Sequence, residues 1–199
     1  MGGASWAPGR YGTALAPNAS GFAEAVDLQA LTPGTSATFE AWVYLTSPPD
    51  GLASIINKWS QSADDEYLFG VALNGRLHFA WKTTGATTWG NTSYNETTAG
   101  AGQLAVGVWT HVAIVRAGTT LTFYINGDVV ATAPVMDTNP FRDGRNTLRI
   151  GGQGRGAISP YFPGFIDDVR IYNRALTQED IQRDMNAPIG GGSGEPQTK

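Results

Sequence analysis

The chain has 199 residues, 41% of them hydrophobic and 15% charged, with 26 glycines, no cysteine and a net charge of −4. That is enough apolar residue for one good core, and the glycine-rich, charge-poor balance suits a turn-rich all-β domain better than a helical one. Without cysteine there is no disulfide framework and no thiolate metal site, the lack of a basic run argues against nucleic acid as a partner, and no apolar stretch is long enough for membrane insertion as a helix.

Residues 1–10 read as an N-terminal arm, small and polar apart from Trp6, ahead of a domain spanning 11–187. The first twenty residues lack the apolar run of a secretory signal, so either a signal has been removed or the protein reaches its site without one. Tyr11 to Leu31 supplies the first strands, with Val26 and Leu28 alternating against Asp27. In Thr38–Thr46, Phe39, Ala41, Val43 and Leu45 form one face, and Glu40, Trp42 and Tyr44 the other, with Glu40 expected as an outward sheet-face acid.

Ser47–Gly51 is a turn cluster, and Ala53–Trp59 a short strand. Asp64, Asp65 and Glu66 follow in a polar loop. Clustered carboxylates can hold calcium, but these lack the glycine and spacing of a helix–loop–helix site, and a solvated loop is the expectation. Asn74-Gly75 and Asn126-Gly127 each separate two strand-like runs and predict tight type I′ hairpins. Trp109–Arg116 alternates so that either face can be buried, as inside a two-sheet stack. Thr83–Gly107 is a long polar loop carrying Trp89 and Tyr94, a length usually reserved for function or disorder.

The closing stretch runs from Gly164 to Arg183. Its strand places Phe165, Asp167, Val169 and Ile171 on one face, and Ile166, Asp168, Arg170 and Tyr172 on the other. Thr177 is the expected N-cap of a short helix, with Asp180 three residues on. Residues 188–199 are a glycine-rich tail with linker composition, for which a neighbouring subunit is the obvious candidate to supply order.

The run Gly164–Thr177 (GFIDDVRIYNRALT) resembles the closing strand and turn of laminin-G-like domains in the concanavalin A-like lectin and glucanase superfamily. YGTAL at Tyr11, FEAWV at Phe39, WTHVAIV at Trp109 and FYING at Phe123 follow that family's order, so the resemblance spans roughly Tyr11 to Met185. It implies a two-sheet antiparallel jelly-roll sandwich with a short C-terminal helix.

Function is less constrained, because one fold hosts many activities. The superfamily's glucanases carry two glutamates flanking an aspartate on one strand, and that cluster does not occur here. His78 and His111 stand alone within strands and read as structural, and no nucleophile elbow or HExxH helix is present. The expectation is a non-catalytic protein.

By resemblance, Asp167 is the leading candidate for a structural calcium (Ca2+), with Asn18 or Ser20 and the Gly21 carbonyl as companions; alternatively it bonds the backbone amides of a neighbouring loop. Asp168 is expected to pair with Arg170 or another cation. Sugar sites on β-sandwiches use aromatic walls with a few polar groups, which nominates Trp59, Trp81, Trp89, Tyr94, Tyr161 and Phe162, with Asn91, Asn95 and Gln153 nearby. Trp42 and Trp109 read as sheet or core aromatics. Asn18, Asn91 and Asn95 head N-glycosylation sequons.

The functional expectation is surface recognition, as glycan binding or adhesion to a cell-surface polysaccharide through rim loops, in an extracellular, cell-surface or virion-exterior setting. The alternative is a bacteriophage decoration or tail-associated protein, whose partners are capsid or tail subunits or copies of itself.

Overall fold

The computed structural model describes residues 4–18, 21–59, 65–84, 90–93, 102–135, 137–152 and 161–190, with residues 90–93 as backbone only. Thirteen strands are found among them: β1 Ser5–Pro8, β2 Thr13–Ala16, β3 Ala23–Ala25, β4 Ser36–Leu45, β5 Ala53–Asn57, β6 Tyr67–Val71, β7 Leu77–Trp81, β8 Gly90–Ser93, β9 Trp109–Ala117, β10 Thr120–Ile125, β11 Asp128–Pro134, β12 Leu148–Ile150 and β13 Gly164–Tyr172. One helix, α1, spans Gln178–Met185.

The strands form two antiparallel sheets packed face to face as a jelly roll. One has seven strands in the order β1-β2-β13-β4-β9-β10-β11, the other six in the order β3-β12-β5-β6-β7-β8. Ser5–Pro8, expected in a free arm, instead pairs with β2 as the edge of the larger sheet. The alternation in β4 works as expected: Phe39, Ala41, Val43 and Leu45 enter the core between the sheets, where Phe39 meets Tyr67 at 4.7 Å and Phe79 at 5.3 Å between ring centroids. Phe141, from the irregular segment before β12, joins the same cluster at 6.1 Å from Phe39.

Both Asn-Gly pairs make hairpins, by different turns. Asn126 and Gly127 both take positive φ (51° and 80°), as a type I′ turn requires. At Asn74-Gly75 the Gly75 N–H bonds the Ala72 carbonyl at 2.8 Å, and of the pair Gly75 alone (φ 76°) is left-handed, so the loop is longer than a type I′ turn. Val26 and Leu28, expected in a strand, are exposed and lie just after β3. The expected alternation of β13 breaks at Asp168, which has φ 46°: Asp167 pairs with Trp42 but Arg170 with Glu40, so three residues on β13 face two on β4. This bulge turns Ile166, Val169 and Ile171 toward the core and leaves Asp167, Arg170 and Tyr172 on the outer face.

The outer face of the larger sheet is covered over part of its length. The Thr177 hydroxyl accepts from the Asp180 N–H in a capping box, and Ile181 and Leu176 seat α1 on Ala113, Val115 and Tyr124. From the last turn of α1 the strap 184–189 crosses β13 and β4. Arg170 donates to the carbonyls of Asp184 (2.8 Å) and Ala187, Tyr11 Oη and Trp42 Nε1 both donate to the Met185 carbonyl (3.1 and 3.2 Å), and Asp168 accepts from the Ile189 N–H. Asp168 also pairs with Arg170, at 3.5 Å, as expected.

Candidate functional site

Cross-strand rows of side chains lie along the outer face of the larger sheet, one of them Tyr172, Thr38 and Val115 beneath Leu176 and α1. Arg170 and Glu40 lie under the strap, and Asp167, Trp42 and His111 form the next row, beside Arg10 and Tyr11. At the bare end stand Phe165, Tyr44 and Trp109, directly opposite one another in register. Their rings meet at 5.7 Å (Tyr44–Phe165), 5.6 Å (Tyr44–Trp109) and 6.4 Å (Trp109–Phe165), and all three are half-buried. Val106 and Val108, in the segment leading into β9, are also exposed.

Beside Phe165 a cleft of about 350 Å³ opens between the ends of β1, β2 and β13 and the Thr46–Ser47 turn. Tyr161 and Phe165 form aromatic walls, and Asn18, Ser5, Thr46 and Ser47 bring amide and hydroxyl groups. Local structure explains its shape. Gly164 sits against the Tyr44 carbonyl, where a Cβ has no room, and the Thr46 N–H bonds the Pro163 carbonyl at 3.0 Å, which ties the wall carrying Tyr161 to the end of β4.

The sequence-nominated residues scatter. Tyr161 lines this cleft; Phe162, its neighbour, lines it too but is fully buried. Trp81 is not a platform: it faces the core opposite Tyr67 and stacks on Phe79 at 5.5 Å, with 4% of its surface exposed. Trp59 is also buried, packed with Leu68 and Ala80 on the outside of the smaller sheet. Trp89, Tyr94, Asn95 and Gln153 lie outside the described residues, as does the side chain of Asn91. The aromatic row of Tyr44, Phe165 and Trp109 escaped nomination. The register signal was clear for Tyr44, which falls opposite the core positions of β4, but period two groups Phe165 with the core-facing Val169 and Ile171 until the bulge at Asp168 is known, and which part of the outer face stays bare is set by α1 and the strap.

The residues offered to calcium do not come together. The Asp167 Oδ2 accepts from the Tyr11 N–H and its Oδ1 from the Asp168 N–H, each at 2.9 Å, and burial raises its pKa. Asn18 and Gly21 instead exchange two backbone hydrogen bonds with each other (2.9 and 3.0 Å). With Leu15 opposite Ile166, the antiparallel register carries Asn18 away from Asp167 toward the start of β13. Ser20 lies outside the described residues.

Asp65 and Glu66, expected in a solvated loop, are buried; Asp64 lies outside the described residues. One carboxylate oxygen each of Asp27, Glu66 and Asp143 lie within 4.8 Å of one another, but the Lys58 ammonium already bonds Asp27 (2.7 Å) and Glu66 (2.8 Å) as the cluster's own cation.

Glu40 is also buried rather than solvated. Burial lifts its pKa to about 7 against the pull of Arg170, and burial and Arg170 hold His111 neutral down to about 3. His78 is likewise depressed, to about 4, by burial alone.

Comparison with solved structures places this architecture among known folds. Domain 4 of the extracellular GH43 arabinanase of Geobacillus stearothermophilus, in complex with arabinotriose, matches with a TM-score of 0.69 at 20% identity, covering 93% of this chain and 82% of that one. The CBM40 of the Ruminococcus gnavus IT-sialidase, bound to α2,6-sialyllactose, matches at 0.59 and 17% identity, over 78% of this chain and 84% of that one. The sialidase of Trypanosoma rangeli matches at 0.52 and 18% identity, over 75% of this chain but 22% of that one. At these identities the likeness is one of fold. A family model matches residues 17–182, from the turn after β2 to the last turn of α1, and the chain therefore belongs to the concanavalin A-like lectin/glucanase superfamily.

Proposed function

We propose that this domain is a non-catalytic glycan-binding module of an extracellular protein, and that the sugar sits in the cleft between Tyr161 and Phe165 and extends over Tyr44 and Trp109. The observation that carries this reading is the aromatic row, bordered by amide and hydroxyl groups, at an end of the outer sheet face that the strap leaves open. Apolar C–H faces of sugars pack on such rings while hydroxyls find neutral donors and acceptors at the edge. The carbohydrate-bound state of the arabinanase domain and the CBM40 supports it, and no described helix is long and apolar enough to cross a membrane.

The non-catalytic part rests on how the nearby acids are engaged: Asp167 holds two backbone amides, and Glu40 lies buried against Arg170. The tail residues 191–199, on which a virion role would in part rest, lie outside the described residues. Affinity electrophoresis in gels cast with soluble polysaccharides tests the proposal. At least one polysaccharide should retard the protein, Tyr161→Ala and Phe165→Ser should each relieve that retardation, and no reducing sugar should be released. A protein that migrates unretarded through every polysaccharide would refute it.

A further inference from the structure

Resting on that reading, we infer that the cleft selects uncharged sugars and discriminates against carboxylated ones such as sialic or uronic acids. The chemistry of the described wall is the reason. Ser5, Thr46 and Ser47 bring hydroxyls, Asn18 an amide and Tyr161 a phenol, set among rings and prolines. Among the described residues that line the cleft there is no aspartate, glutamate, histidine, lysine or arginine.

A carboxylated sugar entering here leaves water without meeting a cation among the described lining residues, and an unpaired charge moved out of water is penalised far more than a hydroxyl that exchanges one neutral partner for another. The nearest acid along β13, Asp167, adds repulsion, while of the described cations beyond the cleft Arg10 is stacked 4.5 Å over the Trp42 ring and Arg170 is held by Glu40, Asp168 and the strap carbonyls. A neutral sugar meets none of these penalties: its hydroxyls find hydroxyl and amide groups, and its apolar face finds Phe165. Selectivity then arises mainly by rejection of charge, with little dependence on ionic strength for the accepted ligand.

The test is a titration panel of neutral oligosaccharides (from arabinan, xylan, β-glucan and galactomannan) against sialyllactose and oligogalacturonate, on the wild type, Tyr161→Ala and Ser47→Arg. The expected result is a neutral ligand bound at least tenfold more tightly than either acidic one, lost in Tyr161→Ala and unchanged between low and high salt, with Ser47→Arg gaining affinity for the acidic sugars. Acidic sugars bound tightly by the wild type and lost in Tyr161→Ala would overturn the selectivity and leave glycan binding at the cleft standing. Glycan binding indifferent to both substitutions would overturn the inference by removing the cleft from it. Binding to no sugar would overturn the functional proposal itself.

Discussion

Glu40 Oε2 and His111 Nε2 stand 3.9 Å apart on neighbouring strands, both side chains fully buried and neither atom hydrogen-bonded. Arg170, Asp168 and Asp184 face Glu40 from β13 and α1. A carboxylate here lacks water, and a protonated carboxyl can instead donate toward the neutral imidazole.

The consequence is a stability that depends on pH. Folded Glu40 binds its proton up to about pH 7, against 4.5 for an unburied glutamate, so its contribution is fully present below 4.5 and is lost as pH rises through 7. The difference corresponds to roughly 3 kcal/mol at about 1.4 kcal/mol per unit. His78 and His111 act in the opposite sense, since both are depressed: their contribution is present above 6.5 and is lost as pH falls toward about 4 and about 3. Glu40→Gln isolates the first effect. Melting curves from pH 5 to 8 should show the variant gaining on the wild type as pH rises; parallel curves would refute the assignment.

Lys58 and Glu66 form a fully buried pair, with the Asn146 N–H and Thr32 hydroxyl also donating to Glu66. Breaking such a pair from one side leaves a buried charge and costs about 3–5 kcal/mol, whereas replacing both partners with apolar groups can be near neutral. Chemical denaturation should therefore find Lys58→Met strongly destabilised, and Lys58→Met/Glu66→Leu recovering most of the loss.

Because Asp167 serves backbone amides, Asp167→Ala should lose about 1–3 kcal/mol by stranding the N–H groups of Tyr11 and Asp168. That loss should be the same in calcium and in chelator, and the wild-type melting temperature should not respond to either. A calcium-dependent rise abolished by Asp167→Ala would restore the metal.

Gly127 combines a left-handed φ of 80° with contact to α1: a Cβ there lies 2.7 Å from Gln182 Cγ, and its carbonyl accepts from Gln178 and Gln182. Gly127→Ala should cost about 1–2 kcal/mol through strain at positive φ, and hydrogen exchange should quicken first in α1.

Much of the fold was legible because alternation reports faces directly. Phe39, Ala41, Val43 and Leu45 enter the core as read, both Asn-Gly hairpins form, and Thr177 caps its helix. Period-two reading fails at Asp168, where one extra residue in a left-handed conformation reverses the faces downstream. It also cannot say what covers an outward face. Glu40 and Trp109 both point away from the core, yet α1 and the strap bury the first and leave the second half-bare. Trp81 misled for a related reason, since aromatic side chains serve core and platform alike and only the facing Tyr67 and Phe79 decide between them.

The Met185 carbonyl, accepting from both Tyr11 and Trp42, has a mechanical implication. A pull applied through residues 10 and 186 would meet this small knot at the surface before tension reached the sandwich. The strap would peel away bond by bond, as a zip opens, and the interlocked sheets behind it would carry load only after it had come free.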